Sequence, residues 1–465
     1  MTKIFERVIR KEIVDHLEAE ELMNITQHGF RSNHSTITQI VCFYDSVLTY
    51  LEEGKSVDAI YLDFAKVDHQ ILLKKTESMG INGKLLKWIE SFLTNRQQQV
   101  RIDDYLSPKV WVKSGVPQGS VLGPLLFIIM LFDIDKDVKF SLIGSYADDT
   151  RLWRFIHGEG DQALLQQDLQ ALYDWAEENN KTFNGDKFEH LPFGDPGTRV
   201  YTTPSGLAIK KKDKVKDLGV FMASDCSFDY HISTITKSES RVSGWIMRTF
   251  LSRDKSNMKV LLQSLLVPCC EYASIVWSPF DNKNINMIEN IQRRFTSRIR
   301  EYQTWDEELD TWICNVSYTD RLKDLRIYSL ERRRERILIL YAYRVLIGLV
   351  KFPWFEAYED HEGNGLKLKR KYNQRAPAKV RRTRHSSLFY KGAQLYNLLP
   401  SELRQFEEIV TPHQSHVNAY KERLDKFLEL VPDEPSAGGT GRVATTNSLI
   451  CQIPTFRRKQ QQQVQ

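Results

Sequence analysis

The chain has 465 residues, 41% hydrophobic and 27% charged, with a formal net charge of +5. It is long enough for two or three domains around a well-buried core, and its balance is that of a soluble globular protein; a charge of +5 alone singles out no nucleic-acid partner. None of the six cysteines (Cys42, Cys226, Cys269, Cys270, Cys314, Cys451) forms a C-x-x-C pair, which excludes a zinc knuckle and a disulfide framework and suits a reducing compartment.

Residues 1–55 read as helices. Ile4, Val8, Ile9, Ile13 and Leu17 recur at helical spacing, and the charged start has no apolar stretch of signal-peptide type. A loop with Gly29 and Ser32 precedes a helix from Ser35 or Thr36. VDAIYLD, 57–63, reads as a buried strand ending in Asp63. Helices are predicted over 67–79, closed by Gly80, and over 83–93. Strands are predicted over 97–103 and 109–114, with Asp103 and Asp104 in a turn. A glycine- and proline-punctuated loop, 115–123, leads to a strongly apolar helix from Pro124. The apolar run 121–132 is too short to span a bilayer. SLIGSYADDTRLW, 141–153, has two apolar-rich arms around a polar turn, a hairpin with Asp148 and Asp149 at its tip. A long amphipathic helix follows over 162–180. From Val215 a strand, VKDLGVFM, leads into a mostly helical remainder, in which 337–350, interrupted by Arg344, reads as a buried helix. The expected divisions are 1–235, 236–350, 351–432 and a tail, 433–465, whose Gly, Ser, Thr and Gln content predicts disorder.

Two carboxylate sites stand out, Asp63 at a strand end and Asp148-Asp149 at a hairpin tip. Phosphoryl transfer needs charge neutralised on the attacking and leaving oxygens, and carboxylates on adjacent strands can hold two divalent ions about 4 Å apart. Magnesium suits such hard oxygen ligands and keeps several waters, so two or three aspartates suffice. Each aspartate alone is equally ordinary turn chemistry. The intervening loop SGVPQGSVLGP, 114–124, supplies glycines for close backbone approach and hydrogen bonds from Gln118 and Ser120.

Strand-Asp, then SGVPQGSVLGPLLF, then YADD, in that order, resembles motifs A, B and C of the reverse transcriptases of non-LTR, LINE-type retrotransposons of the jockey-like kind. HGFRSNHST (28–36), SFLTNRQQQVRI (91–102), WAEENNKTFNGDK (175–187) and VKDLGV (215–220) resemble further segments of that family. So do EYASIVWSP (271–279), IENIQRRFTSRI (288–299), RLKDLRIYSLERRR (321–334) and FYKGAQLYNLLP (389–400), so that the likeness covers roughly residues 4–430. The resemblance implies an α+β right-hand polymerase: fingers and an antiparallel palm sheet, then a helical thumb and a C-terminal region. It implies an RNA-directed DNA polymerase using an RNA template, a DNA primer, dNTPs and Mg²⁺, with Mn²⁺ as the alternative ion. Asp63, Asp148 and Asp149 become the metal ligands. Tyr146 and Ala147 lie near the primer end, and Gln118 and Gly119 contact nucleotide or template. Lys187 neutralises the leaving pyrophosphate, and Arg31 touches template backbone. The family's life cycle points to the nucleus; no membrane is involved.

The sequence departs from the family after Lys66, where Val67-Asp68-His69 follow directly and four residues of the type Ala-Phe-Asp-Lys are wanting. Four residues are close to one helical turn of 3.6, so the next helix keeps its inward face, while nucleotide binding is expected to suffer. Phe64 or Asp68 is the candidate to fill the gap, at the cost of sugar selection. The start, inside the fingers, is expected to lack upstream strands and an endonuclease domain. The rival reading is therefore an inactive remnant that binds RNA. A stretch without one acid carries Lys367, Lys369, Arg370, Lys371, Arg375, Lys379, Arg381, Arg382 and Arg384, and reads either as a phosphate-binding run or as a solvated loop. His69 and His231 read as structural, and Asp433 as a turn residue.

Overall fold

A computed structural model describes residues 2–464 apart from 24–25, 64–66, 181–186, 196, 351–356, 360–365, 406–408, 410 and 436–445. The chain forms two compact units, Met1–Leu218 and Gly219–Gln465.

The first unit is mixed α and β. Its helices are α1 (Thr2–Ala19), α2 (Thr36–Glu52), α3 (His69–Ser78), α4 (Gly83–Leu93), α5 (Gly123–Met130) and α6 (Glu159–Glu178). Its sheet contains β1 (Ser56–Asp63), β2 (Leu142–Tyr146), β3 (Asp149–Ile156), β4 (Glu189–Phe193) and β5 (Lys210–Lys211), in the order β2-β3-β1-β4-β5. All neighbours are antiparallel except β4 and β5. The near-continuous apolar run of β1 follows from its central place, because both faces are covered. Ile60 and Leu62 face a core with Leu152, Leu165, Leu169 and Trp175. Tyr61 faces α2, where the Phe43 ring lies 6.3 Å from Tyr61, 5.2 Å from Trp153 and 6.0 Å from Phe193. Helix α2 starts where the sequence places it, because Ser35 and Thr38 form a reciprocal capping box. A second core, with Ile13, Leu17, Leu72, Ile89, Leu93, Leu122 and Leu126, joins α1, α3, α4 and α5.

The sequence expectation fails at 97–114. Instead of two full strands, Gln97–Gln98 pairs with Val110–Trp111, and Arg101–Ile102 with Tyr105–Leu106. Val100, Ile102, Tyr105 and Leu106 are at least 61% exposed, so their alternation has no core to serve. The strand expected from Val215 is also broken: Lys214–Asp217 (β6) and Val220–Ala223 (β7) are separated by Leu218 and Gly219, at φ 45° and 89°.

The second unit is mainly helical, with α7 (Asp229–Thr249), α8 (Asn282–Thr296), α9 (Leu330–Leu346), α10 (Ala378–Ser386), α11 (Gln414–Leu430) and α12 (Leu449–Val464). Helix α9 is held by buried carboxylates. Glu289 accepts from the Leu330 and Glu331 amides, both at 3.1 Å, at its start. One turn on, Glu335 accepts from Lys391 Nζ at 3.0 Å, Ser448 Oγ at 2.5 Å and the Leu449 amide at 2.7 Å. These last contacts, with α12, correct the expectation of disorder for the described residues 446–464; residues 436–445 of that expected tail lie outside the described residues. Composition misses them because they use a few specific polar atoms, not apolar area. Asp433 is likewise an anchor, not a turn residue, accepting from the Ser329 amide and hydroxyl at 2.7 Å each. Among the described residues no helix is long and apolar enough to cross a membrane.

Buried Asp58 ties β1 to the segment beyond β4. It accepts from Arg199 Nε and Tyr201 Oη, both at 2.6 Å, with His190 Nε2 3.3 Å away. Burial alone raises its pKa, but His190, Arg199 and Tyr201 outweigh burial and hold the carboxyl below its ordinary value. Its contribution to stability is then complete above the unfolded value, about 3.9, and is lost as pH falls through the lowered folded value. Asp58→Asn should cost about 3–5 kcal/mol in urea unfolding at neutral pH and should flatten the acid limb of the stability profile. A cost under about 1 kcal/mol would mean that Arg199 simply re-solvates.

Candidate active site

The β2–β3 hairpin turns through Ala147 and Asp148, with Tyr146 paired to Asp149. On the other side of β3, Asp149 pairs with Asp63, the last residue of β1. Directly opposed residues lie on the same face of a sheet, so the register alone sets positions 63 and 149 opposite each other, with Asp148 next in the turn. Asp63 is placed by its backbone. Asp148 and Asp149 are exposed, and Tyr146 and Ala147 are half-buried.

Ala147 adopts φ 55°, a left-handed conformation that costs a residue with a Cβ. The segment before α2 holds it there. Thr26 and His28 bracket Ser145: the Ser145 amide donates to the Thr26 carbonyl at 3.0 Å, and the His28 amide donates to the Ser145 carbonyl at 2.9 Å. Between them, buried Gln27 Oε1 accepts from the Ala147 amide at 3.0 Å and from the Gly29 amide at 2.8 Å. Gly29 is required by this close approach, since a Cβ there would lie 2.6 Å from the Ala147 nitrogen. The His28 ring donates to or accepts from Thr38 Oγ1 at 3.0 Å; burial, with His34, Arg151 and Arg31 nearby, pushes its pKa down to about 3.

The 114–124 loop is pinned at both ends. The Gly115 carbonyl accepts from Arg96 Nη2 at 2.7 Å and His69 Nε2 at 2.8 Å, and its amide donates to Val67 at 2.8 Å. At the other end, Glu6 of α1 accepts from the Val121 and Leu122 amides at 2.6 and 3.1 Å, supplying the cap that α5 lacks locally. The Ser120 hydroxyl is consumed inside the loop, donating to Pro117 at 2.6 Å and accepting from Gly123 at 3.0 Å. Gln118 and Gly119 remain exposed at the tip, with Gly119 at φ 79°.

Beneath the aspartates, Arg151 of β3 and Asp217 of β6 form a buried ion pair, Nη1 to Oδ2 2.7 Å. Burial, opposed by Arg151 and reinforced by Asp149, pushes Asp217 up to about 6. The Arg151 guanidinium also sits 4.8 Å from the Phe43 ring centre.

The other candidate residues are placed as follows. Arg31 is half-buried and donates to the Gln27 carbonyl at 3.3 Å, behind the acidic turn. Lys187 is exposed two residues before β4, whose Glu189 pairs with Tyr61, so it lies at the Asp63 end of β1. Phe64 lies outside the described residues. Asp68 does not fill the gap: its carboxylate caps α3, accepting from the Gln70 and Ile71 amides at 2.9 and 3.1 Å. In the second unit Arg382 is exposed, Arg381 donates to Gln374 at 3.4 Å and Arg370 sits over the Tyr390 ring at 5.6 Å. Lys367 lies on a short strand, Leu366–Leu368, and Lys371 is half-buried. Arg384 is fully buried and is withdrawn from the phosphate-binding candidates. Sequence reading missed Gln27, Glu6, Arg151 and Asp217. Gln27 directly precedes HGFR, and Asp217 lies inside VKDLGV, both faint signals; Glu6 and Arg151 carry none.

The donor set fits a divalent cation, since exposed carboxylates are hard oxygen ligands and Asp148 has no partner among the described residues. Among those residues no three His, Cys, Asp or Glu side chains form a metal-binding group.

Residues 1–222 match the family model described as reverse transcriptase (RNA-dependent DNA polymerase). The chain is similar to the "Probable RNA-directed DNA polymerase from transposon X-element" of Drosophila melanogaster, 28% identical over 63% of this chain and 34% of that protein. It is also similar to the RNA-directed DNA polymerases from mobile element jockey of Drosophila melanogaster and Drosophila funebris. These are 28% and 27% identical, over 71% and 64% of this chain and 38% and 34% of those proteins. The chain thus spans about a third of the length of the curated relatives it matches.

Gln27→Ala should free the turn at Ala147. Losing this buried acceptor costs roughly 1–3 kcal/mol, or about ten- to a hundredfold faster hydrogen exchange at the Ala147 amide. Unchanged exchange would show that the turn holds itself.

Proposed function

The chain belongs to the jockey-like, non-LTR reverse transcriptases, and from that membership we propose that it extends a DNA primer 3′-hydroxyl with dNTPs along an RNA template. The observation that supports this reading most is the Asp63–Asp149 register beside Asp148. In this reading the five-stranded sheet is the palm, the segments before it are fingers, and the helices after it contain the thumb. Asp63, Asp148 and Asp149 hold Mg²⁺, or Mn²⁺ in its place. Bound there, the ions supply neutralisation of charge on the attacking and leaving oxygens.

The chain's own residues do the positioning. Gln27 and Gly29 fix the turn that carries Asp148. Gln118 and Gly119, at the tip of a loop pinned by Glu6 and Arg96, offer an amide side chain and open backbone to the nucleotide or template. Tyr146 and Ala147 face the primer end. Lys187 sets a positive charge by the departing pyrophosphate. Arg31, through the Gln27 carbonyl, links the template side to the acidic turn. Exposed cations among Lys367, Arg370, Lys371, Arg381 and Arg382 add phosphate contacts, and the nucleus is the place of work. A binding remnant without synthesis is the second reading, favoured by the shortened segment after Lys66.

Primer extension on RNA with Mg²⁺ and dNTPs separates the two. Synthesis by the unaltered chain should fall at least about a hundredfold in Asp148→Ala/Asp149→Ala. Inserting Ala-Phe-Asp-Lys between Lys66 and Val67 should raise it. Silence from all three proteins would overturn the polymerase reading and leave binding.

A further inference from the structure

Arg151 lies two residues along β3 from Asp149, on the same face, and its strand partner Tyr61 lies two residues before Asp63. It is a guanidinium with five donors in a fixed fork, and among the described residues it meets one carboxylate, Asp217, and the face of Phe43. Neither Nη atom makes a hydrogen bond there, so its contact with Asp217 is an ion pair outside hydrogen-bond geometry. Arg151 and Asp217 side chains are only 2% and 3% exposed, so neither is solvated where it stands. The nearest carboxylate along β3 is Asp149, two residues and roughly 6.8 Å up the strand, with Asp148 just beyond it. An arginine side chain bridges that gap by changing rotamer, and a buried guanidinium stripped of its partner is driven to find another carboxylate.

We propose that Asp217 is a positioning residue that holds Arg151 down and away from the place a divalent cation would take beside Asp148 and Asp149 at the end of β1. Without Asp217, the Arg151 guanidinium fills the cation's place as an internal competitor. The pair matters through where the arginine points, not as a source of stability. A buried ion pair is about neutral against well-packed apolar replacements, whereas an orphaned partner is costly. The inference rests on the reading of these aspartates as a cation site and extends it: β6 decides whether that site is accessible.

The test is Mn²⁺ binding to the full chain, followed by electron paramagnetic resonance of the free ion, with no synthesis required. Asp217→Asn, close to the natural shape, should weaken Mn²⁺ binding by roughly tenfold, within the coupling range of contacting residues. Arg151→Met/Asp217→Leu removes competitor and guard together, keeps the site packed, and should restore the affinity of the unaltered chain. Arg151→Met alone should bind Mn²⁺ at least as well as the unaltered chain. Unchanged binding in Asp217→Asn overturns the inference. So does a double variant as weak as the single, which would make Asp217 merely structural. Failure of the unaltered chain to bind Mn²⁺ more tightly than Asp148→Ala/Asp149→Ala would sink the cation-site reading itself, and this inference with it.

Discussion

The pairing of β1 with β3 is the constraint on which the rest depends. Eight consecutive residues of β1, Ser56 to Asp63, face eight of β3 in antiparallel register. A slip of one residue would turn Ile60 and Leu62 out of the core they share with Leu152 and send the aspartates to opposite faces. The hydrophobic pattern that stabilises the sheet therefore also fixes the carboxylates. Chemistry at this edge needs no separate scaffold, since any sequence that packs α2 on one face and α6 on the other delivers Asp63 beside Asp149.

What the register cannot supply is the shape of the turn between β2 and β3. An alanine at φ 55° is not what a tight hairpin selects by itself, and glycine or asparagine would be cheaper. The price is met by Gln27, about 120 residues away in sequence, whose single oxygen serves both Gly29 and Ala147. The same logic recurs at the 114–124 loop, where Glu6 caps a helix from 115 residues upstream. In both places a loop of exposed function is made rigid by a buried side chain from the N-terminal segments. Contacts of this kind are what a reacting centre would require, since such chemistry tolerates only small displacements.

Legibility in the sequence follows the same division. Strand β1, the 142–156 hairpin, α2 with its Ser35 cap and α4 were readable because period, turn residues and caps are local signals. The strand order was not, because nothing local says that β1 sits between β3 and β4. The short ladders of 97–111 were over-read: alternation there is genuine, but its apolar side chains face outward. Gln27, Glu6 and the Arg151–Asp217 pair were invisible for a deeper reason. A polar residue destined for burial looks, in sequence, like one destined for solvent, and only its partner tells them apart. The tail shows this most plainly, since Ser448 and Leu449 dock on Glu335 through hydrogen bonds that no composition measure registers.

The segment after Lys66 joins these threads. Residues 67 and 69 both hold Gly115, through the Val67 carbonyl and the His69 ring, so the stretch that shortens motif A is the same stretch that anchors motif B. Asp68 between them is committed to capping α3 and cannot reach across. The shortening therefore leaves the frame of the site standing: β1 still ends at Asp63, α3 still packs through Leu72, and the loop still leaves Gly115 at the right place. The carboxylate register and the anchoring of the 114–124 loop are thus held by different residues: the first by β1–β3 packing and Gln27, the second by Val67, His69, Arg96 and Glu6.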